Sequence, residues 1–183
     1  MITAPRTVIF DLDDTLLVLM GTVRPAWERT YTELADALAG ITDRDFHRTV
    51  EAVSQEYWGD PDQHRPRRLA MESSRREVAR LVASRLGLGA ADLPDRIAAA
   101  YSRHRMSLER PFPGALDLLR DLRLAGIKLG LLTNGGAEEQ RRKITKFGLE
   151  ASFDVITVEG EYGRGKPSPE VFEATLAELG ADP

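Results

Sequence analysis

Three short apolar runs, each broken off by a polar cluster, constrain the fold of this chain more than any other feature. Thr7-Val8-Ile9-Phe10 runs straight into Asp11-Leu12-Asp13-Asp14-Thr15. Ile127 to Leu132 empties into Thr133-Asn134-Gly135-Gly136, and Phe153 to Val158 gives way to the turn-rich Glu159 to Pro169, which carries Lys166. A continuous apolar run this short, ended by polar residues, suits a strand buried in a parallel sheet. Helical periods separate the runs. One follows the rigid turn Pro111-Phe112-Pro113-Gly114, with Leu116, Leu119 and Leu122 inward. Another covers about Glu138 to Phe147 and stops at Gly148, and a last one covers Glu170 to Leu179. Strands alternating with helices predict an α/β fold with a mostly parallel sheet.

Between the first run and the second the pattern is helical throughout, from about Leu17 to Arg110. Val23, Trp27, Thr30, Tyr31, Leu34 and Leu38 share one face, and Gly40 suits a C-terminal cap. Thr42 or Asp43 is placed to N-cap a second helix carrying Phe46, Val50, Val53 and Tyr57. Residues 59–66 read as a loop. A third helix shows Val78, Leu81, Val82 and Leu86, and a fourth begins near Asp92 to Pro94. This block is an insertion between the first strand and the second.

Composition removes several classes. With 25 Lys+Arg against 29 Asp+Glu the formal net charge is −4, which argues against nucleic acid as a partner. No cysteine is present, so disulfides, thiolate metal sites and cysteine nucleophiles are excluded. The N-terminus lacks a signal peptide's apolar region, and no apolar stretch approaches the roughly 18 residues of a membrane span. The expected place is the cytoplasm, with no membrane partner.

Ligands of open parallel sheets bind beyond the carboxyl ends of the strands, where the three polar clusters fall. Asp11 is placed to attack phosphorus as a carboxylate nucleophile. Asp13, two residues on, is placed to protonate the leaving oxygen and then activate water. Two such carboxylates also suit Mg²⁺, which takes hard oxygen ligands, so Asp11 and Asp13 are the expected metal ligands. Thr133 and Asn134, with nearby backbone N–H groups at a helix start, are the expected substrate-binding residues. Lys166 supplies positive charge to a transferring phosphoryl group. Taken singly, each cluster is as well read as a turn or a solvated lysine. Their joint occurrence, in order and at three strand ends, carries the reading.

Other motifs fail. Gly160 to Lys166 approaches a nucleotide-binding P-loop, but Pro167 occupies the Ser/Thr position and has neither hydroxyl nor N–H. His47, His64 and His104 show no metal spacing, and no Gly-x-Ser-x-Gly elbow supports a serine hydrolase. The cluster His64-Arg65-Pro66-Arg67-Arg68 reads as a solvated loop rather than an anion grip.

Val8-Ile9-Phe10-Asp11-Leu12-Asp13-Asp14-Thr15-Leu16, Leu131-Leu132-Thr133-Asn134-Gly135 and Gly165-Lys166-Pro167-Ser168-Pro169 together closely resemble the haloacid dehalogenase-like hydrolase superfamily. The resemblance spans essentially the whole chain. It implies a Rossmann-like core formed by residues 1–16 and 111–183, with residues 17–110 as a small α-helical cap. It also implies Mg²⁺ dependence, an aspartyl-phosphate intermediate on Asp11, acid/base work by Asp13, phosphate binding by Thr133 and charge stabilisation by Lys166. The Asp13 backbone carbonyl is implied as a metal ligand. The expected activity is a Mg²⁺-dependent phosphatase for a small phosphorylated metabolite. Dehalogenation and phosphomutase chemistry are the rivals on the same fold, and a non-catalytic interaction protein is the alternative from another class.

One departure matters. The family carries a further acidic Gly-Asp turn after another strand, whereas this chain stops at Gly180-Ala181-Asp182-Pro183. The expectation is therefore a fragment lacking its C-terminal strands, with the first strand left as a sheet edge and metal binding and turnover impaired.

Overall fold

In the computed structural model, which describes residues 5–181, the three apolar runs are strands. In chain order the elements are β1 (Thr7–Phe10), β2 (Leu17–Val18), α1 (Val23–Glu33), α2 (Asp43–Trp58), α3 (Pro61–Leu69), α4 (Met71–Arg85) and α5 (Leu93–Leu108). They continue with β3 (Arg110–Pro111), α6 (Ala115–Leu124), β4 (Lys128–Thr133), α7 (Ala137–Lys146), β5 (Val155–Val158), α8 (Glu159–Tyr162) and α9 (Pro169–Leu179). Single 3₁₀ turns lie at Met20–Thr22 and Leu149–Ser152. The chain ends that the sequence reading drew on, Met1 to Ala4 and Asp182-Pro183, lie outside the described residues. The chain divides into two compact units, Met1–Val18 with Arg110–Pro183, and Leu19–Glu109.

The first unit is built on a parallel sheet of order β1-β4-β5. Thr133 lies beside Val158, so β4 and β5 end level, while Phe10 lies beside Leu131 and β1 stops two residues short of them at the same side of the sheet. Among the described residues β1 has a neighbour on one side only, and its four residues are half-buried. Leu12, Leu119, Leu129, Leu131, Ile144 and Leu149 fill the core with almost no exposure, and Phe10 meets Phe153 edge to face. α9 lies against β4 where Gly130 leaves room, since a Cβ there would stand 2.9 Å from Leu179 Cδ1. Buried hydroxyls of Thr157 and Thr175 pair at 2.9 Å across β5 and α9. At the start of the strands, the Asp154 carboxylate accepts the Leu129 N–H at 2.8 Å, which ties the entrance of β5 to β4.

The second unit is helical, with α1, α2, α4 and α5 around Trp27, Phe46, Val53, Val82, Leu93 and Ile97. Trp27 stacks on Tyr101 at 4.0 Å between centroids and meets Phe46 edge-on. Thr42 is the N-cap of α2, its hydroxyl accepting the Asp45 N–H. No helix among the described residues is long and apolar enough to cross a membrane.

The structure corrects the sequence reading in four places. Of residues 59–66, expected as loop, 61–66 lie in α3: Asp60 caps it, Pro61 occupies the first helical position, and Arg67 and Arg68 sit in the last turn. That helix buries no side chain, so hydrophobic periodicity had nothing to reveal. The stretch from Leu17 to Arg110 is not helical throughout, because Leu17 and Val18 pair antiparallel with Pro111 and Arg110. α1 ends at Glu33 rather than near Leu38, although Leu34 and Leu38 are buried in the turns that follow. Leu116, expected inward, is 44% exposed, whereas Leu119 is buried as expected and Leu122 packs against the core.

Candidate active site

All five residues singled out in the sequence fall in the first unit: Asp11 and Asp13 follow β1, Thr133 ends β4, Asn134 follows it, and Lys166 lies between α8 and α9. The loop after β1 alternates acids outward with leucines inward: Leu12, Leu16 and Leu17 are buried while Asp14 and Thr15 are exposed. The N–H groups of Leu16 and Leu17 return to the Leu12 carbonyl, and Asp14 N–H bonds the Leu17 carbonyl. Asp14 sits at φ 55°, the left-handed region that aspartate tolerates better than most side chains. It serves the turn. Asp13's own N–H and carbonyl take no part in this bonding.

Asp11 and Lys166 meet, with Nζ 2.7 Å from Oδ1. The same oxygen accepts the Leu12 N–H at 2.7 Å, so Oδ1 is held from two sides. The lysine is held by its main chain. Asn134 Nδ2 donates to the Lys166 carbonyl at 2.9 Å, and Lys166 N–H donates to Asn134 Oδ1 at 2.8 Å. Gly165 allows this approach, since a Cβ there would lie 2.5 Å from Asn134 Oδ1 and 2.6 Å from Glu159 Cδ. Both ends of the Asn134 amide are thus engaged by backbone.

Asp13 does not meet Lys166. Its carboxylate takes Lys143 Nζ on both oxygens, at 2.5 and 2.6 Å, and Gln140 Nε2 on Oδ2 at 3.2 Å. Gln140 Oε1 in turn accepts the buried Thr133 hydroxyl at 3.2 Å. Thr133, Gln140, Asp13 and Lys143 therefore form one hydrogen-bonded chain across the strand ends. Glu159, fully buried, accepts the Gly135 N–H at 3.0 Å, and Gly160 N–H donates to the Gly135 carbonyl at 3.0 Å. These bonds fix the turn after β4 to the start of α8.

Gln140, Lys143 and Glu159 were not singled out from the sequence. A signal for the first two exists: Gln140, Lys143 and Ile144 stand three and four residues apart on one face of α7, and Ile144 is fully buried. A lysine on that face needs a buried acid. Glu159 carries no comparable mark.

A hard cation finds donors of the right kind here, namely the Asp11 carboxylate and the Asp13 main-chain carbonyl. They fall short in number, because the described residues hold no cluster of three or more acidic or histidine side chains able to take a metal. Two lysines also offset the two carboxylates.

Comparison with known proteins agrees with this architecture. The chain is 28% identical to glyceraldehyde 3-phosphate phosphatase of Methanothermobacter thermautotrophicus, over 97% of this chain and 73% of the relative. It is 28% identical to phosphoserine phosphatase of Thermus thermophilus, over 97% and 77%. Among solved structures, the Bacillus subtilis HAD-hydrolase YfnB bound to magnesium superposes with a TM-score of 0.60 at 24% identity, over 96% of this chain and 72% of that one. L-2-haloacid dehalogenase of Xanthobacter autotrophicus does so with 0.59 at 24%, over 98% and 67%. The sequence family described as haloacid dehalogenase-like hydrolase matches residues 5–183, and the chain belongs to that family.

Proposed function

We propose that this chain is a phosphatase for a small phosphorylated metabolite, with Asp11 as nucleophile. The observation that carries the reading is the anchoring of the Asp11 carboxylate at the end of β1, where Leu12 N–H and Lys166 Nζ each reach Oδ1 at 2.7 Å. A carboxylate anchored in this way is pre-oriented for in-line attack. The relatives quoted above that carry phosphatase names point the same way.

In this mechanism Asp11 Oδ2 forms a bond to phosphorus as the ester oxygen leaves, and Asp13 delivers the proton that the alkoxide needs. Water then attacks the aspartyl phosphate with Asp13 as base, which restores Asp11 and releases phosphate. Lys166 and the Thr133 hydroxyl offset charge on the transferring oxygens. Magnesium, for which Asp11 and the Asp13 carbonyl are the donors, would supply further charge neutralisation. Asn134 acts by holding the Lys166 backbone. Residues 1–16 with 111–183 serve as the reacting core and 17–110 as the cap that selects substrate, in a cytoplasmic protein. Carbon–halogen displacement would leave Asp13 without its acid role, because halide departs without a proton.

Hydrolysis of p-nitrophenyl phosphate with and without Mg²⁺ tests the reading. Asp11→Asn is expected to reduce magnesium-dependent turnover at least about a thousandfold while the protein stays folded. Turnover retained by a folded Asp11→Asn variant refutes the nucleophile.

A further inference from the structure

We infer that Lys143 and Gln140 are positioning residues that set the direction of the Asp13 carboxylate. The inference rests on the proposed reading of Asp13 as the proton shuttle, and its geometric half stands apart from that reading. A carboxylate on a one-carbon stem turns easily about χ1 and χ2, whereas a proton-transfer group must be held to within about 0.5 Å and 10–20° of its working place. Asp13 is on a loop whose main-chain bonds bypass its own N–H and carbonyl, so the backbone does little to fix the side chain. The side chain is fixed from α7 instead. Lys143, 1% exposed, brings an ammonium to both oxygens at 2.5 and 2.6 Å. Gln140, 4% exposed, adds its Nε2 to Oδ2 at 3.2 Å.

A second observation shows that the space is kept for this purpose. Gly135 stands at φ 127°, and a Cβ on it would lie 2.5 Å from Gln140 Nε2. The glutamine amide thus occupies the volume that a side chain at 135 would take. Because its Oε1 also accepts the Thr133 hydroxyl at 3.2 Å, the same amide registers Asp13 against Thr133, the proposed phosphate ligand. A lysine that merely pinned α7 to the sheet would need one contact to any acid. Three donor contacts on one carboxylate, two of them from an ammonium buried to 1%, define an orientation.

The test compares two esters. p-Nitrophenyl phosphate loses a stabilised phenolate that scarcely needs a proton, while glycerol 2-phosphate loses an alkoxide that does. Lys143→Met keeps the length of the side chain and removes its charge. It is expected to lower kcat for glycerol 2-phosphate on the order of a hundredfold and for p-nitrophenyl phosphate less than about tenfold, with both KM values nearly unchanged. Gln140→Leu is expected to give a smaller split of the same sense, about tenfold for glycerol 2-phosphate against less than about twofold for p-nitrophenyl phosphate, and serves if Lys143→Met does not fold. Equal losses on the two esters in a folded variant overturn the inference. A crystal structure of whichever variant folds is expected to show Asp13 turned to a new rotamer. Asp13 found in its original place overturns the inference whatever the kinetics. If the unaltered protein hydrolyses neither ester under magnesium, the phosphatase reading fails, and the Asp13 rotamer alone decides this one.

Discussion

Asp11 and Asp13 stand two positions apart in sequence and meet different lysines in different surroundings. Asp11 is 40% exposed on its side chain and Lys166 23%, whereas Lys143 is 2% exposed at the side chain and Asp13 20%. Exposed pairs contribute less than about 1 kcal/mol, while removing one partner of a buried pair costs roughly 3–5 kcal/mol, because the remaining charge is left without compensation. Asp13→Asn is therefore expected to destabilise the protein by roughly 3 kcal/mol in urea unfolding, and Asp11→Asn by less than about 1. Equal losses would show that the Lys143 site is wetter than its burial indicates. The same contrast explains which residues were legible in the sequence. Asp11, Asp13, Thr133 and Lys166 were singled out because polar clusters after apolar runs mark them. Lys143 was not, because α7 is polar along most of its length and a lone inward lysine leaves its apolar pattern faint.

At the scale of elements, β1, β4 and β5 were readable as short apolar runs broken off by polar residues, and most helices by their apolar period. The two-residue strands β2 and β3 were not, since a pair so short has no period at all. α3 was missed for the opposite reason: its signals are caps and charges, and its side chains stay outside. The entrance to the sheet offers a prediction of its own. The Leu129 N–H, and then Arg123 at 3.3 Å, hold the Asp154 carboxyl below the usual carboxylate range. A carboxylate lowered in the folded state stabilises above its unfolded value of about 3.9, and that contribution fades as pH falls through the lower folded value. The difference in Tm between the unaltered protein and Asp154→Asn is accordingly expected to be largest near neutral pH and to shrink below about pH 4. A difference that grows in acid would contradict the assignment.

At the scale of the molecule, two units with separate cores imply two separable responses to damage. Phe46 is fully buried in the helical unit, and Phe46→Ala leaves a cavity costing roughly 3–5 kcal/mol. Hydrogen exchange is expected to quicken across residues 19–109 and to stay near its original rate in β1, β4 and β5. Uniform acceleration would show one cooperative body. The division at the pair Leu17–Pro111 and Val18–Arg110 has a further consequence. The two strands that deliver the chain to the helical unit and receive it back are neighbours in one small ladder. In engineering terms residues 19–109 form a cassette whose two ends are already clasped. A tight hairpin loop could close the ladder without it, and a foreign domain with adjacent termini could be grafted in its place, leaving the strand-end chemistry wired as before.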